Sequence, residues 1–225
     1  NVEYTFDATT EVKKLKPCKF NFIGTSETIE GFVAHELSEV VPLAVTGTKG
    51  KTTITRLIQE SARYKDLKVY GEYGIDGCFF EGRKIGPDFR PADDYFKQKE
   101  INNADLVVTE ATSYILSIDC LKGHTLDAAI FTGLEEKEHS ELYETTEEYI
   151  QAKKKISSYL GKKGIFVVNK DSDFFEQITE GFEGKLVTYG FDESSDYVIQ
   201  NLKTNLSGLS FDLKGPDQTV HKFKS

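Results

Sequence analysis

A chain of 225 residues, 38% hydrophobic, 29% charged and 12% aromatic, can bury one sizeable core and contains no apolar run long enough to cross a bilayer. Lys+Arg 28 against Asp+Glu 37 leaves a net charge of -9, a field that repels a phosphate backbone and argues against nucleic acid as a partner. Cys18, Cys78 and Cys120 lack any C-x-x-C spacing and residues 1–15 hold no apolar leader, so a disulfide framework, a zinc knuckle and a signal peptide are set aside and a cytoplasmic location is expected. The absence of Met, even at position 1, is unusual for a complete chain of this length and suggests either a fragment or a sequence from which modified methionines are omitted.

In chain order, residues 20–23 read as a strand and 27–37 as a helix, capped by Ser26 with Glu27 in its first turn. These first 40 residues are too few for an independent domain and form a short N-terminal lead. Short apolar runs at 43–46, 68–70, 106–109, 128–131, 165–168 and 185–189 then alternate with longer amphipathic stretches. Residues 53–64 put Ile54, Leu57, Ile58 and Ala62 on one helical face, and 147–160 do the same with Tyr149, Ala152, Ile156 and Tyr159, with Thr145 or Thr146 as cap. Beyond 195, alternating runs at 197–201, 208–213 and 220–223 read as an antiparallel meander. The pattern predicts an α/β fold: a mostly parallel P-loop-type sheet with helices on both faces, plus a small C-terminal antiparallel β meander.

The apolar run ending at Thr46 passes into Gly47-Thr48-Lys49-Gly50-Lys51-Thr52-Thr53 and then a helix. That is the setting of a phosphate loop: backbone N–H groups face the anion, Lys51 supplies charge, and the Thr52 hydroxyl can ligate Mg²⁺. Gly47 and Gly50 let the backbone approach. The general G-x-x-x-x-G-K-[ST] spacing is not met, since Val45 stands where its first glycine belongs.

The variant Gly-Thr-x-Gly-Lys-Thr-Thr resembles the ATP loop of the Mur ligase family, the ATP-dependent amide-bond ligases of cell-wall precursor synthesis and their relatives, folylpolyglutamate synthetase among them. Further matches follow in order. Val107-Val108-Thr109-Glu110-Ala111-Thr112-Ser113 resembles the strand ending in Glu with a Ser-rich turn, and Ala129-Ile130-Phe131-Thr132-Gly133 with downstream His139 resembles the strand, Thr-Asn turn and His. Ala152-Lys153 resembles the helix that bears Ala-Lys, and Val167-Val168-Asn169-Lys170-Asp171 the strand after it.

The resemblance implies a central ATP-binding domain over 41–225 after the lead at 1–40, with the C-terminal ligase domain absent from this chain. It implies that Lys51, Glu110, His139 and Lys153 are catalytic, that Gly47, Thr48, Lys49, Gly50, Lys51, Thr52, Thr53, Asn169 and Asp171 bind nucleotide, and that Thr52, Glu110, His139 and Lys153, the last as a carbamate, serve two Mg²⁺ ions. The implied activity is an ATP-dependent acid–amino-acid ligase working through an acyl phosphate. Its partners would be a small-molecule or peptide-precursor carboxylate and an amine or amino acid, with peptidoglycan synthesis as the setting. The oligomeric state stays open.

Singly, each residue also has a plainer reading: Glu110 as a strand-end carboxylate, His139 as a solvated loop histidine, Lys153 as a surface charge, Asn169 and Asp171 as a turn. The ordered set favours the site for all but the last two, which stay open. Gly133 departs from the family's Asn, and Ala111-Thr112-Ser113 from its Val-Ser-Ser. These departures leave an alternative, a catalytically reduced ATP-binding regulatory or partner subunit. A small-molecule kinase or a cobyrinate-type synthetase would give Lys153 no role.

Overall fold

The computed structural model describes residues 17–21, 28–32, 41–73, 77–86, 103–135, 142–205 and 208–224. β1 (Pro17–Asn21) and β2 (Thr28–Phe32) form a separate antiparallel pair. The helix expected over 27–37 is therefore wrong across Thr28–Phe32: that segment has a strand partner in β1, and cross-strand pairing overrides weak local helix propensity. Ser26 lies outside the described residues.

The main sheet is built on β3 (Val41–Thr46), which pairs in parallel with β7 (Leu106–Glu110) on one side and β8 (Leu126–Phe131) on the other. β4 (Val69–Tyr73) adds in parallel to β7, and the antiparallel hairpin of β5 (Gly77–Phe80) and β6 (Arg83–Gly86) closes that edge. On the other side β9 (Leu160–Asn169), β10 (Lys185–Gly190) and β11 (Tyr197–Asn205) continue in parallel. β12 (Gly208–Lys214) and β13 (Val220–Lys224) complete the expected antiparallel meander. The order is β13-β12-β11-β10-β9-β8-β3-β7-β4-β5-β6, mostly parallel as predicted. The β5–β6 hairpin has no counterpart in the sequence reading. Glu81 and Gly82 turn it with φ 52° and 75°, positive values that an Asn-Gly pair would have advertised and Glu-Gly does not.

Strand side chains alternate between the two faces, and each face has its own helices. Helix α1 (Lys51–Arg63) lays Ile54, Ile58 and Ala62 on Val45, Val69, Leu106 and Val108, while Leu57 turns toward solvent at 36% exposure. The opposite face carries α2 (Ser113–Ser117), α3 (Thr146–Lys154), a 3₁₀ turn (Lys155–Tyr159) and α4 (Phe175–Thr179). There Leu116, Ile150, Ile156, Tyr159 and Ile178 pack on Ala44, Ala129, Phe131, Phe166 and Val168. Thr145 caps α3 in a full capping box with Glu148. The helix expected to reach 160 tightens after Lys154, where Ser157 and Ser158 hydroxyls donate to the carbonyls three residues back and compete with the helical ladder. Among the described residues no helix is long and apolar enough to cross a membrane.

Phe166 is fully buried in the larger cluster and Leu202 is exposed on the meander. Phe166→Ala is expected to lower unfolding free energy by about 3–5 kcal/mol, and Leu202→Ala to stay within about 0.5 kcal/mol, in urea titrations.

Candidate functional site

The loop between β3 and α1 stands at the carboxyl end of the parallel strands, where open α/β sheets gather ligands. Two glycines shape it. Gly47 has φ 138°, and a Cβ there would run into the Thr132 hydroxyl and come within 2.9 Å of the Gly133 carbonyl oxygen. Gly50 has φ 85° and is the residue from which α1 starts. No side chain caps α1 and its first turn holds no acid, so the positive end of a thirteen-residue helix opens onto the loop.

The loop is stitched to the exit of β8. Thr48 N–H donates to Gly133 O at 2.9 Å, Thr132 Oγ1 donates to Lys49 O at 2.6 Å, and Glu135 N–H donates to Thr48 Oγ1 at 3.0 Å. Lys49 pairs with Glu135 at 2.7 Å on the exposed rim, a contact that adds little stability. Gly133, where the family pattern has Asn, takes φ 133°, a backbone region close to glycine-only, and its carbonyl accepts the Thr48 N–H.

From the helical side, α3 reaches the same loop. Lys153, 1% exposed, donates from Nζ to Gly47 O at 2.9 Å. Lys51 Nζ donates to that oxygen as well, at 3.0 Å, and to Thr48 O at 2.9 Å. Burial, then the nearby Lys51 charge, pull the Lys153 ammonium down to about 7. The Tyr149 ring, 5.4 Å from that nitrogen, favours the charged form but is outweighed.

Glu110 ends β7 beside Val45, and its neighbours at the same strand parity, Leu106 and Val108, pack with α1. Its buried carboxylate thus belongs to the α1 face, the face on which Thr52 stands in the first turn of that helix. Thr46 Oγ1 donates to Ala111 O at 2.6 Å and holds the two strand ends level.

Asn169 reaches the β8 exit, with Nδ2 donating to Thr132 O at 3.4 Å and Oδ1 accepting from Asp171 N–H. Asp171 is directed elsewhere: its carboxylate accepts the N–H groups of Phe191 at 2.7 Å and Asp192 at 3.1 Å and ties down the end of β10. Thr53 is exposed on α1, and His139 lies outside the described residues.

The structure therefore brings Gly47, Thr48, Lys49, Gly50, Lys51, Thr52 and Lys153 together around one loop, sets Glu110 on the adjoining strand end and Asn169 as a brace, and turns Asp171 away. The sequence reading missed Tyr149 and Thr132. Tyr149 sits one helical turn before Lys153, and that spacing is the signal that would have found it.

In the unfolded chain a lysine keeps its proton to 10.5, whereas Lys153 in the fold releases it near 7. Between those values the unfolded state binds more protons, so stability rises with pH; at and below 7 the penalty of the buried ammonium is fully present. The stability of the wild type relative to Lys153→Met is expected to climb from pH 7 toward 10.5 in urea midpoints, and a flat difference would contradict it. Gly47→Ala is expected to lower stability by more than about 1 kcal/mol in thermal unfolding, because both φ and the Thr132–Gly133 wall oppose a Cβ.

The family model of the Mur ligase middle domain matches residues 45–225. The UDP-N-acetylmuramoyl-L-alanyl-D-glutamate–L-lysine ligase of Staphylococcus haemolyticus is 30% identical over 201 residues, covering 85% of this chain and 40% of the relative. The corresponding 2,6-diaminopimelate ligase of Bacillus cereus is 28% identical over 193 residues, covering 80% and 38%. A solved UDP-N-acetylmuramoyl-L-alanyl-D-glutamate–2,6-diaminopimelate ligase superposes with a TM-score of 0.70 at 25% identity, over 82% of this chain and 39% of that one. The Mycobacterium tuberculosis folylpolyglutamate synthase, solved with ADP and AMPPCP, shares the fold at a TM-score of 0.60 and 11% identity, over 82% and 49%. The chain thus spans about 40% of the length of the ligases it matches. With the motif order, the sheet topology and the family match in agreement, this chain belongs to the Mur ligase family through its middle domain.

Proposed function

We propose that this chain is the ATP-handling core of a carboxylate–amine ligase. The observation that carries the reading is the loop itself: Gly47 and Gly50 at positive φ, an uncapped α1 starting at Lys51, and two lysine ammonium groups converging on one carbonyl at its base. Such a loop wraps a polyphosphate with backbone N–H groups, and Lys51 exchanges its carbonyl partners for phosphate oxygens.

Mg²⁺ fits the donors available. It takes one or two carboxylates plus phosphate oxygens and waters, and Glu110 supplies a buried carboxylate on the α1 face. Thr52 and Glu110 would hold it, His139 would serve a second ion, and bound there the metal would neutralise charge on the transferring phosphoryl group. Lys153, buried and held down to about 7, suits carbamylation: the ammonium gives up one proton to expose its lone pair, the neutral nitrogen attacks CO₂ and releases a second proton, and a cation has become a carbamate anion.

In the proposed reaction a substrate carboxylate oxygen attacks the γ-phosphorus of ATP and expels ADP. An amine then attacks the acyl phosphate and expels phosphate, leaving an amide. The loop holds the nucleotide in line and Lys51 offsets charge at the transferring group, so positioning and electrostatics carry the catalysis. The relatives are named for joining L-lysine or 2,6-diaminopimelate to a UDP-N-acetylmuramoyl dipeptide. By similarity we assign a peptide-precursor carboxylate and an amino acid as the substrate classes here, in the cytoplasm where ATP is available.

Lys51→Ala is expected to abolish ATP binding in isothermal titration. Lys153→Ala is expected to abolish phosphate release while leaving ATP affinity within about threefold, since the lost side chain acts at the reacting group. Unchanged ATP binding in the Lys51 variant would overturn the assignment of the loop.

A further inference from the structure

Tyr149 and Lys153 stand one turn apart on α3 and share a face. Their polar ends meet consecutive residues of the phosphate loop: Lys153 Nζ donates to Gly47 O at 2.9 Å, and Tyr149 Oη lies 3.1 Å from Thr48 Oγ1 in a hydrogen bond. Thr48 and Tyr149 are both buried, so this bond is shielded from competing water. The Thr48 hydroxyl also accepts the Glu135 N–H, and its amide donates to Gly133 O, so the residue is tied to the β8 exit by two bonds and to α3 by a third. Its carbonyl is one of the two resting partners of Lys51. The Tyr143 ring, 5.4 Å from that of Tyr149 and tilted 44° to it, packs against the phenol.

An anion that draws Lys51 off the Gly47 and Thr48 carbonyls takes a hydrogen-bond donor from the carbonyl that Lys153 grips and from the residue whose hydroxyl Tyr149 holds. The geometry points to Tyr149 as a positioning residue: its hydrogen bond to Thr48 is the latch through which occupancy of the phosphate loop fixes α3 and with it the place of Lys153. This rests on the nucleotide reading of the loop and goes beyond it, because it gives an otherwise unassigned tyrosine the task of coupling the loop to the lysine.

The test is amide hydrogen exchange on the intact protein with and without ADP. In the wild type ADP is expected to slow exchange in residues 47–53 and in α3. In Thr48→Val and Tyr149→Phe the slowing is expected to persist in the loop but to fall at least threefold in α3, while Thr48→Ser, which keeps the hydroxyl, restores it. ADP affinity is expected to weaken about twofold to tenfold in Tyr149→Phe and by more in Thr48→Val, which also strips the Glu135 N–H of its acceptor, while the double variant weakens no further than Thr48→Val, because the Tyr149 bond is already lost there. Full α3 protection in both single variants, additive losses in the double, or failure of the serine to restore coupling would overturn the latch. Slowing confined to the loop in the wild type overturns the latch alone, whereas no slowing in either segment overturns the nucleotide reading and the latch together.

Discussion

One carbonyl oxygen, that of Gly47, organises this site. It accepts two ammonium groups, from Lys51 at 3.0 Å and Lys153 at 2.9 Å, at the base of the loop. The positive φ of Gly47 and the wall formed by Thr132 and Gly133 fix where that oxygen points, and Lys51 shares the load with the neighbouring Thr48 carbonyl at 2.9 Å. The resulting repulsion, added to burial, is what brings Lys153 into the range where a neutral amine exists near neutral pH. A surface lysine in the same sequence would have no such chemistry.

The β8 exit is the second partner in this arrangement. Its backbone and side chains supply Gly133 O to the Thr48 amide, Thr132 Oγ1 to Lys49 O, and Glu135 N–H to the Thr48 hydroxyl. Asn169, at the end of β9, braces Thr132 O in turn. Four parallel strand ends are thereby linked: β3 through the loop, β7 through Thr46 and Ala111, β8 directly, and β9 through Asn169. The replacement of the family's Asn by Gly133 fits this scheme, since the position contributes a carbonyl at a φ that a side chain would strain.

The helices divide the labour by face. α1 covers one side with an apolar stripe and presents its uncapped amino end to the loop, so its packing and its electrostatics point the same way. α3 covers the other side, and the capping box at Thr145 sets where its first turn begins and hence which residues, Tyr149 and Lys153, arrive at the loop. A shift of one residue in that start would rotate both by about 100° around the helix.

The repeated strand–helix pattern, the glycine turn between β3 and α1 and the order of the motifs were legible from residues alone, because hydrophobic periodicity and glycine placement are local properties of the chain. The same local reasoning failed at residues 28–32, where pairing with β1 decides the structure, and passed over the β5–β6 hairpin, whose Glu-Gly turn carries a weak signal. Asn169 and Asp171 looked equivalent in sequence; only the fold directs one to Thr132 and the other to the backbone beyond β10. Lys153 was one lysine in a run of three, and its burial against Gly47, 106 positions away, is a product of tertiary packing alone. The sequence by itself determined the fold class and the loop; which lysine lost its water, and which tyrosine holds the loop to its helix, was decided by long-range contacts that no local pattern encodes.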